Sequence, residues 1–116
     1  MTDHTPSPPP ETVLHIAERV HWDSARSSGA SYAMSTRGRT LDDEGFIHCS
    51  SDLDQVRGVL TAFYGDVPPS DLALLTIDTT GLDVRLEPAD GTLFPHIYGP
   101  IPPSAVIKVQ PVPETR

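Results

Sequence analysis

Three of the five histidines, His15, His48 and His96, fall in segments patterned for regular structure, whereas His4 lies in a Pro-rich start and His21 near a helix start. Imidazole is the side chain whose ordinary pKa lets it donate, accept or carry a proton near neutrality. The competing reading for each ring is a structural group with its nitrogens satisfied. His48 stands apart. The string Gly45-Phe-Ile-His-Cys-Ser50 puts Phe46, His48 and Ser50 on one strand face, immediately before a helix. An imidazole, a hydroxyl and a helix N-terminus then converge on a small volume that suits an anion such as a phosphate.

Glu87-Pro-Ala-Asp-Gly91 sets two carboxylates around a tight turn. Glu87 is a candidate general base or a grip for ribose hydroxyls, while Asp90 reads as an Asx-type surface turn. Arg85 shares a strand side with Glu87 and reads as its ion-pair neighbour. Tyr98, two residues after His96, offers a stacking plate with a hydroxyl, against the competing reading of a core aromatic. Cys49 faces away from His48, which argues against a Cys–His nucleophilic pair and for apolar packing. The three histidines lack the H-x-H or H-x-x-x-H spacing of a metal site, so no metal is expected. There is neither G-x-G-x-x-G nor a Walker loop.

The elements that must position these groups are short. The chain has 116 residues, eight Lys+Arg against sixteen Asp+Glu, and a formal net charge of -8. A chain of that length makes one domain that buries roughly two-thirds of its unfolded surface. The acidic balance disfavours general nucleic-acid binding, which needs a basic face. Lys108 is the sole lysine, so anion recognition would fall to Arg, His or backbone N–H groups. The single cysteine excludes an internal disulfide and suits a reducing compartment. No apolar run approaches the roughly 20 residues of a membrane span, and Met1 to Pro10 lacks a signal-peptide core, so a cytoplasmic protein is expected.

Residues 1–11, with Pro6, Pro8, Pro9 and Pro10, read as a loose tail, and 111–116 as a second; one domain spans 12–110. Thr12 to Ala17 predicts a strand with Val13, His15 and Ala17 on one face. Val20 to Ser28, closed by Gly29, predicts a helix anchored by Trp22. Ser31 to Ser35 predicts a short strand, and Thr36 to Asp43 a loop or single turn. Ser51 with Asp54 predicts the cap of a helix reaching about Tyr64, with Val56, Val59, Leu60 and Phe63 as its apolar stripe. Asp71 to Asp78 predicts a central strand. Val84 to Glu87 predicts a strand broken by Pro88, Phe94 to Pro103 an ordered Pro-rich loop, and Ser104 to Gln110 a last strand. The fold class is α+β, with five or six strands and two principal helices.

Val13-Leu-His15-Ile-Ala, Glu44-Gly-Phe-Ile-His-Cys-Ser50, Arg85-Leu-Glu-Pro-Ala-Asp90 and Phe94-Pro-His-Ile-Tyr-Gly-Pro-Ile101 together resemble the domain-of-unknown-function family 952 (DUF952) over about residues 12–110. That family is grouped with the ADP-ribosyltransferase-like fold, a split, twisted β core that grips NAD. The resemblance implies NAD or a related nucleotide as substrate. His15 would hold a ribose, Ser50 and His48 would contact the diphosphate or departing base, and Tyr98 would stack. His48, Glu87 and His96 are the implied catalytic residues. Glycosidic transfer, hydrolysis of ADP-ribose or action like an RNA 2′-phosphotransferase are the activities so implied. The alternatives are a non-catalytic nucleotide sensor, and a small hydrolase or isomerase that uses the His48–Glu87 neighbourhood on a non-nucleotide substrate.

Overall fold

The computed structural model describes residues 10–89 and 91–114; Asp90 and the outer parts of both tails lie outside the described residues. Strand β1 (Thr12–Glu18) runs directly into helix α1 (Arg19–Ser28). A short helix α2 (Leu41–Glu44) precedes β2 (Ile47–His48), and helix α3 (Leu53–Phe63) follows it. Then come β3 (Leu72–Asp78), β4 (Val84–Ala89), β5 (Thr92–Ile97) and β6 (Val106–Gln110). The six strands form two antiparallel three-stranded sheets, ordered β1-β3-β6 and β2-β5-β4. The fold is thus α+β, with α1 and α3 as its principal helices. No described helix is long and apolar enough to cross a membrane.

The near-continuous apolar run of β3 follows from burial on both faces. Its Ala73, Leu75 and Ile77 join Val13, Ala17, Trp22, Ile47, Cys49 and Ile97 in a core shared by both sheets. Its Leu72 and Leu74 pack with Ile16, Val56, Val59 and Leu60 against α3. A central strand covered on two sides has no polar alternation to show.

Several elements differ from the sequence reading, each for a local reason. Pro95 does not prevent regular structure: β5 is the middle strand of its sheet, and the Pro95 carbonyl accepts from the Cys49 N–H at 3.0 Å. Because β2 spans only two residues, the missing Pro95 N–H falls where that ladder is already ending. Pro88 sits within β4 because β4 is an edge strand. The α3 cap is Asp52, not Ser51: the Asp52 carboxylate accepts from the Gln55 N–H, and the Gln55 side chain accepts from the Ser51 N–H. Phe63 is 51% exposed rather than part of the buried stripe. The 31–35 segment makes only isolated pairings, Tyr32 with Ile101 and Met34 with Thr40. Thr40 and Asp43 form a reciprocal capping box that turns the expected loop into α2.

Candidate functional site

Strand parity and register bring the site together from segments far apart in the chain. His48 on β2 lies directly across from His96 on β5, and Arg85 on β4 lies across from His96 on its other side. Cross-strand partners share a face, so His48, His96, Arg85 and Glu87 project from one side of the second sheet. Phe46, Phe94 and Tyr98 follow the same parity. Above this face stands α3, whose Gly58, Val59, Ala62 and Phe63 form the opposite wall of a cleft of about 840 Å³. That volume falls in the range of small-ligand sites.

The cleft holds a connected set of titratable groups. His96 Nδ1 donates to Glu87 Oε1 at 2.8 Å, and the Tyr98 hydroxyl donates to the same oxygen. These two donors hold the Glu87 carboxyl below its usual range, the Tyr98 bond counting most, and the carboxylate in turn raises Tyr98. Phe46 stacks on the His96 ring with centroids 3.9 Å apart and planes 12° apart. With the His96 Nδ1–H given to Glu87, its Nε2 offers a lone pair to His48 Nδ1, 3.4 Å away. Burial, and secondly the neighbouring His96, push His48 down to about 4, so this ring is neutral at pH 7. Its Nε2 is buried and has no hydrogen-bond partner among the described residues.

His48, His96, Glu87 and Tyr98 therefore meet in one cleft; His15 and Ser50 do not join them. His15 is sealed in the shared core, its Nδ1–H donated to the His48 carbonyl at 2.7 Å and its Nε2 receiving the Tyr32 hydroxyl at 2.9 Å. Burial pushes it down to about 4, which makes it a neutral structural ring. Ser50 is buried, its backbone paired in both directions with Leu14. The expected anion seat at the helix start does not form around Ser50, because the Asp52 carboxylate already occupies the α3 N-terminus. Arg85 pairs with Asp83, not Glu87, and lays its guanidinium over the Tyr98 ring 4.1 Å from the centroid. Cys49 is buried and its thiol pushed up by burial, which leaves it unreactive.

Sequence reasoning passed over Phe46 as a ring partner, Gly58 as the open wall and Glu44 as a cleft carboxylate. Phe46 shares parity with His48 and was legible; Glu44 lies in α2 and reaches the cleft only through tertiary placement, where it accepts from Thr36. No cluster of three metal-ligating side chains occurs among the described residues.

Among solved structures, the chain is similar to protein CC0527 from Caulobacter crescentus. The identity is 26% over 86% of this chain and 84% of that one, with a TM-score of 0.69. A double-methionine variant of the same Caulobacter protein matches equally. No curated protein matches. Residues 16–109 match the family described as protein of unknown function DUF952, and those residues include the whole second sheet, most of the first and every residue of the cleft; the chain belongs to that family.

Proposed function

We propose that the protein is an acid–base enzyme of the hydrolase or isomerase type, acting on a small organic molecule held in the cleft. The observation that carries this reading is the shared carboxylate oxygen: Glu87 Oε1 accepts from both His96 and Tyr98 inside a cavity large enough for a ligand. An ionised carboxylate fixed in this way is a base positioned before the substrate arrives. Glu87 takes a proton from the substrate, and Tyr98 or His96 returns one to the atom that leaves or rearranges. His48, neutral and next in line, directs its Nδ1–H at His96 Nε2 and can resupply a proton to His96 when that ring gives one up. Positioned proton transfer of this type contributes about 10²–10⁴-fold to a rate.

The nucleotide reading, with NAD as the substrate of an ADP-ribosyltransferase-like domain, is supported by a different observation. Glu87 lies beside the Phe46 and Tyr98 rings, an arrangement that matches ribose hydroxyls next to a flat base. The partition of six strands into two three-stranded sheets also supports that placement of the fold. In this reading Ser50 and His15 act only through the backbone they hold.

Both readings are tested by incubating the protein with a mixture of small metabolites, NAD included, in deuterated, heavy-oxygen water, followed by mass spectrometry. The expected result is a compound that gains deuterium or heavy oxygen with the wild type and not with Glu87→Gln. Release of nicotinamide selects the NAD reading. If compounds shift the His48 and His96 resonances and none is altered, the protein is a binding module and the enzymatic reading falls.

A further inference from the structure

The cleft carries three carboxylates, Glu44, Asp54 and Glu87, and no Lys or Arg among its described lining residues. Asp54 is paired with Arg57 at 3.5 Å, and Arg85 is held at the rim by Asp83 through two hydrogen bonds of 2.9 and 3.2 Å, so Glu44 and Glu87 are the cleft carboxylates with no Lys or Arg ion pair among the described residues. Aromatic faces complete the surface: Phe46, Phe94 and Tyr98 lie on the sheet side, and Phe63 is half exposed on the helix wall. An aromatic face is negative and attracts a cation, the more so where water is partly excluded. The Tyr98 ring already shows this property by taking the Arg85 guanidinium on its face. Glu87 Oε2, unlike Oε1, has no hydrogen-bond partner among the described residues, and the Glu87 side chain is 34% exposed. One carboxylate oxygen is therefore free to meet a donor. The whole chain, at a net charge of -8, adds a long-range field of the same sign.

We infer that the ligand of this cleft is an organic cation, a protonated amine or quaternary ammonium group carried on a flat apolar body. The charged group sits between the Glu87 carboxylate and the Tyr98 and Phe46 rings, while the apolar body lies along Val59, Ala62 and Phe63 of α3. A diphosphate finds no Lys or Arg lining the cleft and meets the Glu44 and Glu87 carboxylates instead. This assignment rests on the acid–base reading for what happens next: where the ligand is a protonated amine, its N–H beside Glu87 is a proton donor already in contact with the base.

A matched trio of probes of one shape tests it: phenethylammonium, phenylethanol and phenylacetate, titrated into the labelled full-length protein with the His48 and His96 resonances as readout. The ammonium is expected to bind at least tenfold more tightly than the alcohol, with phenylacetate weakest. Its affinity should fall as salt rises from about 0.05 to about 0.5 M while that of the alcohol stays constant. Glu87→Gln should remove the preference for the ammonium over the alcohol, with an unchanged Trp22 fluorescence spectrum reporting that the variant is folded. Glu44→Gln, which removes the other cleft carboxylate without a Lys or Arg ion pair, should reduce the preference by a smaller factor. Alcohol or phenylacetate binding as tightly as the ammonium overturns the cation assignment and leaves the acid–base site standing, because a ligand still sits against Glu87 and His96. If no probe moves either imidazole, both fall together.

Discussion

His15 and His96 are both buried histidines on strands, yet they take opposite roles, and the difference lies in what their nitrogens meet. Two neutral partners, a backbone carbonyl and the Tyr32 hydroxyl, close off His15. His96 meets a carboxylate on one side and a second imidazole on the other. The sequence shows parity and so places each ring on a face, but it does not show which face receives a hydroxyl from a loop seventeen residues away. That loop fills the Nε2 position which the sequence alone leaves open to a ribose hydroxyl. A buried neutral ring leaves a mark on stability. His15 sits at about 4 in the fold against 6.5 unfolded, so between those values the unfolded chain binds more protons and acidification favours unfolding. Its contribution is complete above pH 6.5 and lost as pH falls toward 4, on the order of 3 kcal/mol. Urea midpoints at pH 7 and pH 4.5 should show a smaller pH-dependent loss in His15→Gln than in wild type; equal losses would remove His15 from this account. Tyr32→Phe, which strips the partner from a buried nitrogen, should cost about 1–3 kcal/mol at pH 7.

At the scale of elements, the parts set by local pattern were legible and the parts set by partners were not. The double-sided burial of β3, the Gly29 stop of α1 and the Phe46–His48 parity all follow from spacing within a few residues. The strand role of 92–97 was hidden because Pro95 reads locally as a breaker, and only the two-residue length of β2 makes it tolerable. The α3 cap lies one residue beyond the one local pattern suggests because Ser51 and Asp52 are both capping types; geometry selects Asp52. Asp52→Ala should therefore cost about 1 kcal/mol in thermal or urea unfolding, and Ser51→Ala close to nothing; the reverse order would restore Ser51 as the cap. Gly58 has the opposite value. It lies mid-helix on the cleft wall, and a Cβ built there meets nothing within 4 Å. Gly58→Ala should stabilise α3 by about 1 kcal/mol with ligand binding retained, since alanine relieves the entropy that glycine loses in a helix. Gly58→Phe should fill the cleft and abolish binding of any probe while the fold persists. Binding that survives the phenylalanine would move the ligand site elsewhere.

For the molecule as a whole, the question is whether the site's sheet stands alone or is part of one cooperative unit. Three strands of which one has two residues make a weak sheet by themselves. Here β2 is tied to the other sheet from both sides of its chain: the Leu14 and Ser50 backbones exchange hydrogen bonds of 2.8 and 2.7 Å, and the His15 ring donates to the His48 carbonyl between them. The inward faces of the two sheets then merge in one core around Ile47, Leu75, Ile77 and Ile97, so no apolar boundary separates them. None of this pairing is written in local pattern, because it joins residues more than thirty positions apart. The site should accordingly be lost only when everything is lost. Trp22, in the shared core beside Tyr32, reports by fluorescence on the first sheet and α1, while the His48 and His96 resonances report on the second. In urea both should follow a single transition with one midpoint. Leu75→Ala, which opens a cavity on the first sheet's side of the core, should cost about 2–5 kcal/mol and lower both midpoints equally. If the imidazole signals vanish at lower urea than the Trp22 transition, the second sheet opens as a separate unit, and the cleft would then be held by its own short strands rather than by the core beneath it.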